Sequence, residues 1–415
     1  MPESSRRYDL PSQPELNVGT TGHVDHGKTT LVEAITGIWT SAHSEELKRG
    51  ITIKVGYADA AFYKCESCPP PDCYTNSPKC PSCGTEAKLI RVVSFVDCPG
   101  HESLMANMLS GAAVMDGALL VIAANEKVPQ PQTREHLFAL KMLEMKHIIV
   151  IQNKVDLVSD DEARANYRDI KSFINQTLSS DLPIIPISAQ RRLNIDAVIG
   201  MIVEYIPVPK RDPNAKPLMQ ILRSFDVNRP GTSIDALKGG VVGGTLIQGV
   251  LRVDDEIELR PGILNPNTSK YEPLQTKILS LVTSAGFMDQ VKPGGLVAVG
   301  TMLDPALTKS DSLIGSVLGR PGELPDTLYS FSMDTKLFEA AIGTQELVKV
   351  EKIKVGEALR LNVGTAVTLG TVSSVREDTV EVKLRHPVCA SEGSRAAISR
   401  RIGDRWRLIG LGILR

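Results

Sequence analysis

The octapeptide GHVDHGKT, Gly22 to Thr29, constrains this chain more than any other feature. It matches G-x-x-x-x-G-K-[ST], follows an apolar run (LNVGTT) and opens a helical pattern (KTTLVEAITG), the setting a phosphate-binding loop requires. Glycines let a backbone wrap a phosphate without side-chain clashes, so successive N–H groups point inward. The helix N-terminus adds positive potential. A chain of this length meets the pattern by chance roughly once in a hundred trials, before strand and helix are demanded. Asp25, His26, Gly27 and Thr30 are therefore assigned to the phosphate cradle, Lys28 to the β- and γ-phosphates, and the Thr29 hydroxyl to Mg2+.

From Leu16 to about Ile206, strand candidates (16–21, 91–96, 117–124, 148–152, 184–187) alternate with helix-like segments (28–36, 101–110, 132–145, 161–178, 194–205). This alternation predicts an α/β domain over 14–208, a mostly parallel sheet with flanking helices. PVPKRDPNAKP (207–217) reads as a linker. Short alternating runs punctuated by glycine then predict two all-β barrels or sandwiches, 209–325 and 326–415, with a helical turn or two near 334–346. Residues 1–13 read as a disordered leader without the apolar stretch of a signal peptide. The longest apolar run, GALLVIAA (117–124), is too short for a membrane span and suits a buried strand. With 47 Lys and Arg against 48 Asp and Glu, the total charge argues for no wholesale attraction to nucleic acid. A cytoplasmic protein is expected.

NKVD (153–156) follows the strand HIIVIQ. A carboxylate at Asp156 can accept from N1–H and the exocyclic amine of guanine, donors that adenine does not offer in that arrangement. Asn153 and Lys154 belong to the same motif, and SAQ (Ser188, Ala189, Gln190) follows the next strand, where a backbone N–H can meet the guanine O6. DCPGH (97–101) ends the strand RVVSFV: Asp97 is placed for the Mg2+ shell, Gly100 for a γ-phosphate, and His101 to position water. In RGITI (49–53), Thr52, with Gly50 beside it, is a candidate for Mg2+ and γ-phosphate that engages only while the third phosphate is present.

Five of the seven cysteines crowd into the Pro-rich stretch CESCPPPDCYTNSPKCPSCG (65–84). Cys65-x-x-Cys68 and Cys80-x-x-Cys83 form two knuckle pairs, and two such turns can close a tetrahedron of thiolates around Zn2+. Metal ligation supplies folding free energy where a polar loop has no apolar core of its own. A disulfide is the rival reading. Cys73 is left over, either a free thiol or exchanged with Cys68 as a ligand.

GHVDHGKTT, RGITI, DCPGH, NKVD and SAQ together resemble the sequence elements of translational GTPases, and the β-rich remainder resembles the second and third barrels of the elongation factor Tu group. The cysteine knuckle, GIWTSAHSEELKRGITIKVGYADA (37–60) and PQPQTREHL (129–137) are similar to the γ-subunit family of archaeal and eukaryotic translation initiation factor 2. That resemblance implies a GTP-gated carrier of initiator methionyl-tRNA, with α and β partner subunits and delivery to the small ribosomal subunit. His101 would orient the attacking water, and Val24 and Ile51 would screen it, implying slow intrinsic hydrolysis. Asp25, in the HVDH string shared with these factors, is a further candidate for Mg2+.

Three other readings compete: a selenocysteine-specific elongation factor, which usually carries an extra C-terminal domain, a GTP-binding assembly scaffold without RNA contact, and a P-loop ATPase or kinase. Arginines between Arg395 and Arg415 could face RNA phosphates or lie solvated on outer strand faces, and the second reading is favoured.

Overall fold

The computed structural model describes residues 10–40, 55–101, 104–339, 341 and 348–415. The chain divides into two compact units, one built on Pro14–Pro209 and one on the β-rich remainder.

The first unit runs β1 (Leu16–Gly22), α1 (Lys28–Thr36), β2 (Gly56–Lys64), β3 (Tyr74–Thr75), β4 (Lys88–Asp97), α2 (Met105–Ala112), β5 (Gly117–Ala123), α3 (Pro131–Met142), β6 (Ile148–Asn153), α4 (Asp160–Leu178), β7 (Ile184–Pro186) and α5 (Ile195–Tyr205). Its sheet has the order β3-β2-β4-β1-β5-β6-β7. The pairings β4–β1–β5–β6–β7 are parallel. Strand β5, GALLVIA, is buried along its whole length, as a strand covered by helices on both faces must be. Helix α1 falls on 28–36 as its pattern predicts, and α4 opens with a capping box between Ser159 and Glu162.

Two strands escape the sequence reading. β2 lies antiparallel to β4, and β3 pairs with β2. GYADAAFYK is rich in residues of low strand propensity, so only its pairing with β4 makes it a strand. Helix α2 begins at Met105 rather than 101, because the Leu104 N–H turns back to the His101 carbonyl at 2.9 Å ahead of it.

The second unit contains two closed barrels. The region of the first holds β8 (Leu218–Phe225), β9 (Val241–Gln248), β10 (Leu251–Arg252), β11 (Glu256–Asn265), β12 (Lys270–Thr283), β13 (Gly286–Met288), β14 (Gln290–Val291), β15 (Val297–Thr301), the short helix α6 (Pro305–Thr308) and β16 (Val317–Gly319). The ring runs β11-β16-β8-β9-β15-β12, with β13 beyond β12 and β10 paired to β14 apart from it. Pairing of β11 with β12 closes its ring. The second uses β17 (Thr327–Leu337), β18 (Ala358–Val363), β19 (Ala366–Arg376), β20 (Thr379–Cys389), β21 (Arg395–Ile402) and β22 (Arg405–Leu414), in the order β17-β20-β19-β18-β21-β22. Inward and outward side chains alternate along β20, as barrel closure around one core demands.

Two expectations need correction. Residues 10–13 of the expected disordered leader are held: Leu10 N–H donates to Ser284 O, and the Gln13 amide donates to Lys292 O at 2.7 Å and Gly294 O at 2.9 Å. Of the helical turns expected near 334–346, residues 334–337 continue strand β17, and 340 and 342–347 lie outside the described residues. Among the described residues no helix is long and apolar enough to cross a membrane.

Candidate nucleotide site and cysteine knuckle

Between β1 and α1 the chain makes the loop read as a phosphate cradle. Gly27 takes φ 88°, a left-handed conformation, and a Cβ there would lie 2.3 Å from Asn153 Nδ2. Asp25 also lies left-handed, at φ 60°. The Lys28 ammonium is buried and donates to the His23 carbonyl at 2.5 Å. Burial pushes its pKa down to about 8, with the Asp97 charge acting the other way. A dry, underpaired cation at a helix start is the electrostatic counterpart of a polyphosphate. Gly100 belongs to the same place: a Cβ on it would sit 2.4 Å from Lys28 Nζ and 2.9 Å from Val24 N.

Asp97 is the hub. It ends β4 opposite Thr20 of β1 and is fully buried. Its carboxylate accepts from the hydroxyls of Thr20 at 2.7 Å, Thr29 at 2.7 Å and Thr40 at 2.6 Å. This all-oxygen, anionic donor set fits Mg2+, a hard cation that favours carboxylate and hydroxyl ligands. Thr20 and Thr40 were not singled out from sequence. Thr20 follows Leu16 and Val18 at the strand period, which was a usable signal, whereas Thr40 lies past the end of α1 with none. Thr52, Gly50 and Ile51 lie outside the described residues. His101 is half-buried beside Gly100.

The base-reading motifs meet through Asn153. Its buried amide donates to the His26 carbonyl at 2.9 Å and its oxygen accepts from Ala189 N–H at 3.0 Å. One side chain thus ties the phosphate loop, NKVD and SAQ together, and both its polar atoms are used in doing so. Lys154 turns left-handed at φ 63°, Ser188 Oγ accepts from Arg191 N–H at 3.1 Å, and Arg191 Nε stands 4.0 Å from Asp156. Gln190 is exposed and Thr30 half-buried. The His26 ring faces inward, 3.0 Å from Val121 O and 3.3 Å from Glu126. Burial drops its pKa to about 3, so the neutral imidazole is the resident form.

The knuckle brings Cys65, Cys68, Cys80 and Cys83 together, their sulfur atoms all within 4.8 Å of one another. Sγ separations are 3.5 Å for Cys65–Cys83 and 3.7 Å for Cys68–Cys80. Four soft donors converging on one point fit a tetrahedral thiophilic metal, and none of the seven cysteines is in a disulfide. A hydrogen bond from Thr85 lowers the Cys65 thiol, whereas the hydrogen bond with Cys83 raises that of Cys68, so in the metal-free cluster Cys65 gives up its proton first. Cys73 stays outside the cluster and is buried, its carbonyl accepting from Cys65 N–H at 2.8 Å.

The knuckle is fused to the domain core rather than appended to it. Cys65, Cys73, Tyr74 and Cys80 pack in one cluster with Leu31 and Ile35 of α1 and Val198, Ile199 and Ile202 of α5. Asn76 donates to the Ile35 carbonyl at 2.7 Å, capping the end of α1, and Tyr74 donates to Glu204 at 2.5 Å.

Of the barrel arginines, Arg400 pairs with Glu357 and donates to Glu351 O at 2.8 Å, and Arg415 pairs with Asp334 at 2.8 Å. Trp406 lies beneath the Arg360 guanidinium, 5.4 Å from ring centre to Cζ.

Comparison with known proteins converges with this geometry. A family model described as the elongation factor Tu GTP binding domain matches residues 13–208, and one described as initiation factor eIF2 gamma, C terminal, matches 329–414. The chain is 58% identical over 412 residues to translation initiation factor 2 subunit gamma of Archaeoglobus fulgidus, covering 99% of this chain and 97% of that protein. The Methanothermobacter thermautotrophicus subunit is 56% identical over 408 residues, with 98% and 100% covered.

Among solved structures, a bacterial selenocysteine-specific elongation factor superposes with a TM-score of 0.72 at 22% identity, covering 96% of this chain and 58% of that one. Translation elongation factor SelB of Methanococcus maripaludis, in complex with the GTP analogue GppNHp, gives 0.71 at 22% identity, with 98% and 80% covered. At that identity the two share a fold and carry no further argument. Identity above one half, sustained from end to end, is a different matter: the chain belongs to the translation initiation factor 2 gamma subunits, a family of translational GTPases.

Proposed function

We propose that this GTPase carries initiator methionyl-tRNA to the small ribosomal subunit in the cytoplasm, together with α and β partner subunits, and releases it when GTP is hydrolysed. The observation that carries the reading is the meeting of three chain segments on Asp97: β1 through Thr20, the phosphate loop through Thr29, and the approach to the first switch through Thr40. A ligand that engages this hub acts on all three segments at once, which is what a nucleotide-gated switch requires.

In this reading Lys28 and the backbone of Asp25, His26 and Gly27 hold the β- and γ-phosphates, and Gly100 N–H and Thr52 grip the γ-phosphate. Asp97, Thr29 and Thr52, with Asp25 and Gly50 as further candidates, would hold Mg2+, which would supply neutralisation of charge on the phosphate oxygens. Asp156 reads guanine, Lys154 and the Ser188–Gln190 turn flank the base, and Asn153 braces them. His101 orients a water whose oxygen bonds to the γ-phosphorus as the bond to the β,γ-bridging oxygen breaks, giving GDP and phosphate. Loss of the γ-phosphate frees Gly100 and Thr52, loosening the grip on RNA. Cys65, Cys68, Cys80 and Cys83 hold Zn2+, whose chemistry here is structural cross-linking.

Two experiments test this. Filter binding of methionylated initiator tRNA is expected to be at least tenfold tighter with a non-hydrolysable GTP analogue than with GDP, a difference worth about 1.4 kcal/mol. Equal affinity would leave the chain a GTP-binding scaffold. Asp156→Asn is expected to weaken GTP binding about a hundredfold and to gain xanthosine triphosphate binding, because the pattern of acceptors facing the base is altered. Unchanged GTP affinity would remove Asp156 from the base site.

A further inference from the structure

One buried group beside the phosphate loop has no part in the chemistry above. His136, on α3, is almost wholly buried, and its Nδ1 accepts the backbone N–H of Gly22 at 2.7 Å. Gly22 is the residue at which β1 gives way to the phosphate loop, and its register partner on β5 is Val121. The Val121 carbonyl is in turn 3.0 Å from His26 Nδ1. Two imidazoles therefore close the polar groups of one register pair just where the strand ends. They act in opposite senses: His136 Nδ1 accepts, and His26 Nδ1 donates to a carbonyl.

A backbone N–H can only donate, so Nδ1 of His136 must carry a lone pair and its proton must sit on Nε2. Burial, reinforced by the nearby Lys28 charge, takes the pKa of this ring down to about 3, which keeps it an acceptor throughout the ordinary pH range. Without that acceptor the Gly22 N–H is left unpaired in a dry interior, and relief comes from moving the loop that begins there.

We propose that His136 is a positioning residue for the nucleotide: by accepting the Gly22 N–H it fixes the entrance of the phosphate loop and so the direction of the N–H groups that follow. The inference rests on the reading of Gly22–Thr29 as a phosphate cradle. His136 touches no phosphate itself, and its effect passes through one backbone bond.

The test compares side chains that fill the space with one that also supplies an acceptor. GDP affinity and dissociation rate are measured with a fluorescent GDP analogue on the full chain, and melting is followed without nucleotide. His136→Leu, apolar and of similar bulk, is expected to weaken GDP binding about tenfold, the scale of one unmade buried hydrogen bond. His136→Asn, whose Oδ1 can stand where Nδ1 stood, is expected to return affinity to within about threefold of the parent. Should the leucine chain not fold, His136→Met carries the same comparison. Parent-like binding by the Leu or Met chain, or an Asn chain as weak as the Leu chain, would overturn the proposal. A parent chain that fails to bind GDP in this assay would instead overturn the phosphate reading on which it rests.

Discussion

Asp97→Ala is expected to abolish the Mg2+ dependence of nucleotide binding. In the parent chain the affinity for GTP should drop about a hundredfold or more when EDTA replaces Mg2+, since charge neutralisation by the metal is worth several kcal/mol. In the variant the two conditions should give the same weak value. The substitution removes the carboxylate around which three hydroxyls gather. It also leaves the Thr20, Thr29 and Thr40 hydroxyls facing a gap, so the apo protein should lose about 2–3 kcal/mol of stability. Isothermal titration with and without EDTA, paired with denaturant melts, reads both quantities. A variant that keeps its Mg2+ dependence would put the metal elsewhere and dismantle the hub.

The second large effect concerns the knuckle. Cys80→Ser is expected to take bound zinc from one per chain to well below that, measured by metal analysis of protein purified without chelator. Cys73→Ala, which alters a buried cysteine outside the cluster, should leave it at one. Losing even ~3 kcal/mol of metal-linked folding energy would lower the melting temperature by roughly 6–12 °C in a domain of this size.

Because Asn76 caps α1 and Cys65 and Cys80 lie in one core cluster with Leu31 and Ile35, the loss should also weaken GTP binding several-fold. Reciprocity follows: GTP should raise the zinc affinity, read at equilibrium by competition with a chelator, by the same factor. Nucleotide affinity indifferent to metal removal would make the knuckle a self-contained module, and the packing on α1 incidental.

Much of the candidate site was legible before the structure, for a reason particular to this chemistry. A phosphate must be met by backbone N–H groups at a strand-to-helix turn, so Gly27, Lys28 and Thr29 had to be contiguous and could be read as a string. The same holds for Asp156 and for the two Cys-x-x-Cys turns, where local chain geometry does the work. The residues that escaped are those that act across the fold. Thr40, His136 and the strut role of Asn153 depend on partners 57, 114 and 127 positions away. β2 escaped likewise, because its pairing with β4 and not its composition makes it a strand. The barrels were legible as β-rich, from alternation and glycine punctuation, while their closure waited on β11 finding β12 and β17 finding β22.

The sequence alone determined the chemistry available here: an anion-binding turn, a carboxylate for guanine and four thiolates in two turns, each held by neighbours along the chain. Tertiary structure decided how these parts bear on one another. It made Asp97 a junction of three segments, joined the knuckle to the helix that carries the phosphate loop, and seated a neutral histidine against the loop's first N–H. The reason is physical. Contacts within a turn are fixed by bond geometry, whereas a buried hydrogen bond between distant segments exists only once packing has excluded the water that would otherwise take its place.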